Sequence, residues 1–370
     1  MAAVEACERN QTEEPMASSG TATDHRRVYI GSFTVGAGGD GAGISLAEQD
    51  RRSGALELVG LVAETASPAF LAWHPSGSYL YAINETAAAS VVAYAVSASG
   101  ELTEVGTAQP TGGRGACHLT VHPSGRYLLT ANYGSGHVSV HQILPDGSVG
   151  DRTDLIQHAG SGPNPDRQEG PHAHQVRIDP SGHQVLVADL GIDAVLTYAL
   201  DLDAGTLTPG PVAKTAPGAG PRHLAFAPDG MVHVAGELDS TVTTYALDPR
   251  TGTMEGRGVA PSTVQRAPAD NYPSEIAISD DGRHLYVANR GLDVIGTLEV
   301  SGASVRPVAD VPTGGAWPRH LAVFGGHLYV ANERSHEVTH FALDPVTGVP
   351  KQADDVLAVP SPGCILPAPS

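Results

Sequence analysis

The sequence predicts an all-β fold, a seven-bladed β-propeller of four-stranded antiparallel blades. A short extended phrase ending in Asn-Glu, Asn-Arg or a close variant occurs seven times along the 370 residues. Successive copies lie 43 to 57 residues apart, about the length of one propeller blade. In addition, 44 Gly and 28 Pro interrupt the chain and would break helices repeatedly. The equivalent positions of the seven copies are Ser32, Asn84, Asn132, Asp189, Gly236, Asn289 and Asn332.

One unit shows the elements of a blade in order. Residues 220–227 form an apolar opening strand that ends at a Pro-Asp-Gly turn, 228–230. The chain returns through 232–237, continues through a third strand at 241–247, and turns again at Asp248-Pro249. Because β-branched and aromatic runs of this length are bounded by turn residues, each unit is predicted to be an antiparallel meander.

The two ends of the chain predict how the ring closes. The first unit, at Tyr29, lacks the strand that should precede it, whereas residues 361–367 at the C-terminus form an unattached opening strand. We therefore expect the C-terminal strand to pair with the N-terminal blade beside Tyr29. This pairing leaves no open sheet edge at the junction.

Bulk properties predict one soluble propeller, residues 26–370, preceded by a disordered polar tail, residues 1–25. The three cysteines have no metal-type spacing and no secretory segment precedes them, so we expect a cytoplasmic protein. No run reaches the roughly 18 apolar residues that cross a bilayer. The net charge of −19 disfavours nucleic-acid binding. We expect a monomer or weak homo-oligomer.

Strand direction predicts where a functional site lies. The start of each opening strand and the end of the following strand should meet at one mouth of the central channel, although they are distant in sequence. The acidic chain repels anionic metabolites, so an acidic substrate would need a local arginine cluster. The candidate site residues at this mouth are His118, His172, His174, Arg222, Arg319 and His320 from the opening strands and Glu85, Tyr133, Glu237 and Arg290 from the strand ends.

Departures from the repeat separate functional candidates from structural ones. Asn or Asp at a strand end commonly caps a turn through its own side chain, whereas turning does not require Glu237 or Arg290. The segment 160–174 lengthens one unit to 57 residues and ends in two histidines, His172 and His174. Long ordered loops in compact domains are usually functional, so this segment is predicted to serve the site.

Six motifs together resemble the seven-bladed propeller lactonase family, over a stretch from about Val28 to Leu366. That family includes the propeller-type 6-phosphogluconolactonases, and fungal carboxymuconate cyclases share its scaffold. The resemblance implies a catalytic set of His174, Arg222, Glu237 and Arg290, and we expect the other six candidates to bind substrate. The motifs are Ser161-Gly-Pro-Asn-Pro-Asp-Arg-Gln-Glu-Gly-Pro-His-Ala-His174, Gly220-Pro-Arg-His223, Glu237-Leu-Asp-Ser-Thr-Val242, Tyr272-Pro-Ser-Glu-Ile276, Asn289-Arg-Gly291 and Trp317-Pro-Arg-His320.

The activity that the resemblance implies is hydrolysis of 6-phospho-D-glucono-1,5-lactone to 6-phosphogluconate, a carboxylic ester hydrolysis of the oxidative pentose phosphate pathway. A base beside a cationic donor is sufficient for this chemistry. Glu237 or His174 would be the base. Of Arg222 and Arg290, one would stabilise the developing oxyanion and the other would bind phosphate. We expect neither a metal nor another cofactor.

Three alternatives remain open at the level of sequence. A lactonising or cycloisomerase-type enzyme could hold a carboxymuconate-like acid with the same arginines. A hydrolase of another sugar lactone would need fewer cations. A non-enzymatic ring could bind a partner protein at its mouth, as many repeat proteins do.

Overall fold

The computed structural model describes residues 25–36 and 38–369, which form seven four-stranded antiparallel sheets arranged as a ring. The predicted fold class is confirmed. Outside the strands, the described residues contain one short 3-10 helix, Leu190–Ile192. The predicted disordered tail falls almost entirely on residues 1–24, outside the described part of the chain.

The seven sheets are the seven blades, numbered here in chain order. Blade 1 contains β1 (His25–Ser32), β2 (Gly43–Asp50) and β3 (Leu56–Glu64), and blade 2 contains β4 (Leu71–Trp73), β5 (Tyr79–Asn84), β6 (Ser90–Val96) and β7 (Leu102–Pro110). Blade 3 contains β8 (Ala116–Val121), β9 (Tyr127–Asn132), β10 (His137–Ile143) and β11 (Val149–Gln157), and blade 4 contains β12 (Ala173–Ile178), β13 (Gln184–Asp189), β14 (Ala194–Asp201) and β15 (Thr206–Lys214).

The remaining blades follow the same pattern. Blade 5 contains β16 (Pro221–Phe226), β17 (Met231–Gly236), β18 (Thr241–Leu247) and β19 (Met254–Pro261), and blade 6 contains β20 (Tyr272–Ile278), β21 (His284–Arg290), β22 (Val294–Ser301) and β23 (Ser304–Pro312). Blade 7 contains β24 (Pro318–Phe324), β25 (His327–Asn332), β26 (Glu337–Leu343) and β27 (Pro350–Ala358), and β28 (Pro362–Pro367) returns to blade 1.

The ring closes as the sequence predicts. Strand β28 pairs antiparallel with β1, so that Leu366 lies opposite Tyr29 and Cys364 lies opposite Gly31. The C-terminal strand thereby becomes the innermost strand of blade 1, in the order β28-β1-β2-β3. Each blade thus presents one short opening strand to the central channel, and neighbouring opening strands contact one another around the ring.

The hydrophobic core is divided among the interfaces between blades. Each blade alternates residues between its two faces, and each face packs on the next blade, giving one apolar cluster at every one of the seven interfaces. Tyr81 of blade 2 and Leu128 of blade 3, for example, are both fully buried in one cluster. Burying a large apolar side chain contributes roughly 1.5–3 kcal/mol, so the interfaces hold the blades in fixed positions.

Tyrosines of the second strands add a polar tie between blades. The Tyr29 hydroxyl donates to the Gly100 carbonyl at 2.8 Å and the Tyr81 hydroxyl donates to the Gly147 carbonyl at 2.9 Å, each in the outer turn of the following blade. The Tyr329 hydroxyl donates to the Gly54 carbonyl at 2.7 Å, from blade 7 to blade 1. This last bond crosses the ring closure, so the junction is stabilised by side chains as well as by β28.

Candidate active site

A repeated irregularity in the opening strands brings polar side chains into the channel. The register shifts near the start of β8, β12, β16, β20 and β24. Such bulges re-aim side chains and are frequent beside active sites. In consequence two consecutive residues, Arg222 and His223, both line one cavity at the channel mouth.

This cavity contains five of the ten residues predicted from the sequence: Glu85, His174, Arg222, Arg319 and His320. The other five lie beside it in the clusters described below. The structure therefore brings all ten candidates to one mouth of the channel, as the strand directions predict. The complete lining is Phe33, Ala69, Phe70, Glu85, Cys117, His174, Arg222, His223, Arg319, His320 and Gly363.

Glu237 is enclosed by three arginines. Its Oε2 lies 2.9 Å from Nε of Arg222 and 2.9 Å from an Nη atom of Arg290, and its Oε1 lies 2.6 Å from an Nη atom of Arg167. Three guanidinium groups around one carboxylate leave two net positive charges. We name these four residues the arginine cluster.

Electrostatics in the arginine cluster favour the charged form of Glu237. Burial alone would raise the pKa of Glu237, but Arg290, Arg222 and Arg167 outweigh it and lower this pKa to about 2. Burial lowers the pKa of Arg290 to about 9, although Glu237 opposes the shift. The carboxylate is therefore ionised at neutral pH, with both oxygens engaged.

The three arginines differ in exposure. The side chains of Arg222 and Arg290 are 3% and 6% exposed, whereas that of Arg167 is 34% exposed. The Arg222 guanidinium also donates to the Ser274 carbonyl at 2.5 Å, and Nε of Arg290 donates to the Tyr272 carbonyl at 3.0 Å. Backbone carbonyls thus fix the guanidinium groups of Arg222 and Arg290, whereas that of Arg167 is partly exposed to solvent.

His174 lies in the cavity next to Arg222. Burial lowers the pKa of His174 well below the usual value, and Arg222, His223, Arg319 and Arg290 lower it further. Its ring Nδ1 is 3.9 Å from Sγ of Cys117. The imidazole is therefore neutral at neutral pH and able to accept a proton.

A third group of residues lies at the edge of the cavity, where the insertion 160–172 crosses the mouth. The rings of His172 and Tyr133 stack at 4.5 Å, and Nδ1 of His172 lies 2.9 Å from the Tyr133 carbonyl oxygen. The Tyr133 hydroxyl also accepts a hydrogen bond from Arg167 at 3.3 Å. These contacts connect the insertion to blade 3.

On the opposite side of the cavity, Arg319 lies between two carboxylates. Its guanidinium is 3.8 Å from Glu85 and 3.5 Å from Glu333, and it lies 4.7 Å above the centre of the Phe33 ring. Burial raises the pKa of Glu85, although Arg319 and Arg222 oppose the shift. One guanidinium thus faces two carboxylates, so this side of the cavity has no spare positive charge, unlike the arginine cluster.

Histidines form the floor of the cavity. The His118 ring lies 4.0 Å from the Phe70 ring and 5.5 Å from that of His223, centre to centre. Glu275 Oε2 is 2.9 Å from Nδ1 of His223 and 3.4 Å from Nε2 of His320. His118 and Glu275 support the floor from outside the cavity, whereas His223 and His320 line it together with Arg222, Arg319 and His174.

A family model described as "Lactonase, 7-bladed beta-propeller" matches residues 27–367. The chain belongs to this lactonase family. It is 35% identical over 345 residues to a 6-phosphogluconolactonase of Bacillus subtilis strain 168, covering 91% of this chain and 97% of that protein. A 6-phosphogluconolactonase of Formosa agariphila is 28% identical over 335 residues, covering 87% and 93%.

A solved structure of the lactonase type shares the whole fold. The periplasmic gluconolactonase of Pseudomonas aeruginosa superposes with a TM-score of 0.85 at 27% identity, covering 93% of this chain and 99% of that one. The relatives thus include proteins named for a phosphorylated and for an unphosphorylated lactone.

Arg167 is the lactonase site residue that sequence reasoning missed. It lies within the insertion 160–174 singled out by its length, but neither strand start nor strand end predicts it. The one indication in the sequence was that this arginine lies in the segment that lengthens the unit. His223 and Glu275 belong to the starts of opening strands, which strand direction predicts to lie at the mouth, and they lie beside Arg222 and Ser274 at the bulges of β16 and β20.

Within residues 25–36 and 38–369, no group of three or more His, Cys, Asp or Glu side chains is placed to hold a metal ion. None of the helical structure in that range is long and apolar enough to span a bilayer. The metal-free mechanism stays a prediction.

Proposed function

We propose that this chain hydrolyses 6-phospho-D-glucono-1,5-lactone to 6-phosphogluconate. The single observation that carries the proposal is the arginine cluster. In this cluster three guanidinium groups, those of Arg167, Arg222 and Arg290, contact one carboxylate, that of Glu237. A phosphate monoester bears close to two negative charges at pH 7, and the cluster has two uncompensated positive charges. The relatives named 6-phosphogluconolactonase support the same substrate.

His174 is the better candidate for the base, and Glu237 is the weaker one. A carboxylate whose pKa is about 2 and whose oxygens are all bonded has little tendency to take a proton. His174 lines the cavity and, among the described residues, forms no ion pair, and a bound anion would raise its lowered pKa. We therefore assign proton transfer to His174 and the positioning of the arginines to Glu237.

The reaction can be written on these residues. Water attacks the lactone carbonyl carbon and loses one proton to the His174 imidazole, while Arg222 stabilises the negative charge on the carbonyl oxygen. The tetrahedral intermediate then expels the ring oxygen, which takes the proton back from His174. The products are the open-chain carboxylic acid and its hydroxyl group, with no net change in the enzyme.

Arg167 is assigned to the phosphate. It is the exposed member of the cluster, and a planar guanidinium binds phosphate through paired hydrogen bonds. A bound phosphate also offsets the positive charge around His174. This makes the imidazolium easier to form in the complex than in the free enzyme.

The remaining candidates are assigned to the substrate's hydroxyl groups and ring. Arg319, Glu85 and His320 line the cavity, and Tyr133 and His172 border it under the insertion. His118 supports the floor through Phe70. The predictions of a cytoplasmic location, a monomer or weak homo-oligomer, and no nucleic-acid partner remain predictions, and one relative is periplasmic.

Hydrolysis of an unphosphorylated sugar lactone is the second candidate, because one structural relative is named a gluconolactonase. In that case the two spare positive charges of the arginine cluster would have no anion to bind in the substrate. The phosphorylated lactone therefore agrees better with the charge of the site. Carboxymuconate-type lactonisation and a purely binding role have no such observation in their favour.

The proposal is tested with freshly generated 6-phosphogluconolactone. Formation of 6-phosphogluconate is followed by coupling to excess 6-phosphogluconate dehydrogenase, with and without this protein and with EDTA present. We expect a large acceleration over spontaneous hydrolysis that persists in EDTA. A rate equal to the spontaneous one would reject the proposal, and loss of the acceleration in EDTA would reject metal-free catalysis.

A further inference from the structure

A second cavity lies in the central channel beneath the active site. It has a volume of about 210 Å³, several times the roughly 30 Å³ that one water molecule takes in the liquid. Phe70 and His320 line both cavities, so they form the boundary between them. We name the second cavity the lower chamber. Its other lining residues are Gln175, Arg177, Leu224, Ala225, Phe226, Glu275, Ile276, Ala277, Ile278 and Leu321.

The charged donor of the lower chamber is Arg177 on β12. Its guanidinium lies 5.9 Å from the centre of the Phe226 ring. Among the described residues, no carboxylate lies within ion-pair distance of it and no acceptor is hydrogen-bonded to it. Arginine stays protonated in proteins and carries five N–H donors. Glu275, which also lines the chamber, attracts Arg177 without an ion-pair contact. Arg177 therefore brings a positive charge with free donors to a wall of both polar and apolar groups.

A second donor in the lower chamber is the amide of Gln175. Its Oε1 accepts a hydrogen bond from the Leu224 backbone N–H at 2.7 Å, which fixes the orientation of the amide group. The Nε2 atom is left without a partner, although the residue is only 1% exposed. A buried donor without a partner is destabilising, so an acceptor in the chamber would be stabilising.

The acceptors of the chamber are already used. Glu275 Oε1 accepts from the Ile276 backbone N–H at 3.1 Å, and Oε2 contacts His223 at 2.9 Å and His320 at 3.4 Å. The chamber thus offers unused donors, and its complement is a small group rich in acceptors. A negative charge on that group would be attracted by Arg177 and opposed by Glu275, and burial raises the pKa of Glu275 toward the neutral form that opposes an anion least.

We propose that the lower chamber binds a small anion, chloride or an oxyanion of phosphate size, through the Arg177 guanidinium and the Gln175 amide. The surrounding Leu, Ile and Phe side chains lower the local dielectric and strengthen this attraction. The anion joins blade 4, which carries both donors, to the walls supplied by blades 5, 6 and 7. This site is separate from the lactone-binding cavity and does not depend on the proposed hydrolysis.

The first test measures anion binding by calorimetry at constant ionic strength. The full-length protein is titrated with sodium phosphate and, separately, with sodium chloride. Arg177→Gln should weaken binding of the preferred anion at least tenfold, whereas the exposed control Arg283→Gln should leave it unchanged. Arg167→Met should weaken phosphate binding at the active site about tenfold and leave the affinity of the lower-chamber event unchanged. The preferred salt distinguishes an oxyanion from chloride.

The second test needs no variant and decides the matter if Arg177→Gln does not fold. Crystals of the unmodified protein are soaked in sodium bromide, and other crystals in sodium phosphate. An anomalous bromide peak, or phosphate density, in contact with Arg177 supports the proposal. Water alone at Arg177 in both soaks, or equal anion affinity in Arg177→Gln and the unmodified protein, would overturn it.

Discussion

At the scale of single residues, the site is governed by competition between burial and charge. Burial acts on both Glu237 and His174, and two arginines, Arg222 and Arg290, act on both as well: they hold Glu237 ionised and help to keep His174 neutral. The sequence identifies both residues but leaves the base open, because the third arginine at Glu237 comes from the insertion and not from the repeat.

The first prediction concerns His174. Replacement by Gln removes the proton acceptor while keeping a polar side chain of similar reach. We expect kcat to fall about 10²- to 10⁴-fold, the usual contribution of general base catalysis. His172→Gln, two residues away, should keep kcat within about tenfold of the unmodified enzyme. Steady-state kinetics decide, and equal losses in both variants would show that His174 is not the base.

The second prediction concerns Glu237. Glu237→Gln leaves three buried or half-buried guanidinium groups without their carboxylate. The free energy of unfolding should therefore fall by about 3 kcal/mol, which lowers the melting temperature. The freed arginines should bind 6-phosphogluconate more tightly than before. Calorimetry and thermal unfolding measure the two effects, with the exposed Glu255→Gln as control. Weaker binding of the product would contradict the role assigned to Glu237.

At the scale of elements, the insertion 160–172 determines what the site can recognise. Gln168 is fully buried and donates to the Leu190 carbonyl at 2.8 Å and to Asp193 Oδ1 at 2.7 Å. Gly191 permits this close packing, because a Cβ there would lie 1.9 Å from the Gly170 carbonyl oxygen. The insertion is thus fixed to the turn of blade 4, and Arg167 is held over the mouth.

The third prediction follows from this anchoring. Gln168→Ala loses two buried hydrogen bonds, a local cost of roughly 1–3 kcal/mol, and Arg167 should lose its fixed position. We expect KM for the phosphorylated lactone to rise about tenfold while kcat changes less than threefold, with faster amide hydrogen exchange in 160–172. Gln109→Ala, on the exposed outer strand of blade 2, should change neither. An unchanged KM together with faster exchange would show that the insertion does not take part in substrate binding.

The bounds of the strands could be predicted from the sequence, whereas several side chains that line the channel could not. Turn residues and β-branched runs specify β16, β17 and β18 almost to the residue, because local chemistry determines them. Strand direction correctly brought Glu237 and Arg290 to one mouth. The position of Arg167 depends on the path of a long insertion. Arg177 lies on β12, two residues after the bulge between Ala173 and Gln175. No local pattern reports such positions.

At the scale of the whole molecule, the channel collects titratable groups that the unfolded chain exposes. The pKa values of His118, His174, His223 and His320 are all lowered, chiefly by burial. Below a pH of about 6.5 the unfolded chain binds protons that these histidines exclude in the folded state. Their contribution to stability is therefore complete above that pH and is lost as the pH falls.

The fourth prediction is a decline in the free energy of unfolding below about pH 6.5. The slope is about 1.4 kcal/mol per pH unit for each histidine that stays neutral only when folded. Glu85 and Glu275, whose pKa values burial raises, take up protons on acidification and offset part of the loss. Urea unfolding at pH 7.5, 6.5 and 5.5 measures the slope, and His174→Gln should reduce it. Stability that is constant or rises on acidification would contradict the assignment.

The central claim is that the charge of the arginine cluster selects a phosphorylated lactone. The most direct test is the ratio of kcat/KM for 6-phosphogluconolactone to kcat/KM for glucono-1,5-lactone. Because hydrogen bonds to charged groups contribute roughly 1.5–3 kcal/mol each, we expect a ratio of at least about 100. Arg167→Met should lower it about tenfold or more, and the exposed control Arg114→Met should not. A ratio near one in the unmodified enzyme would contradict the claim.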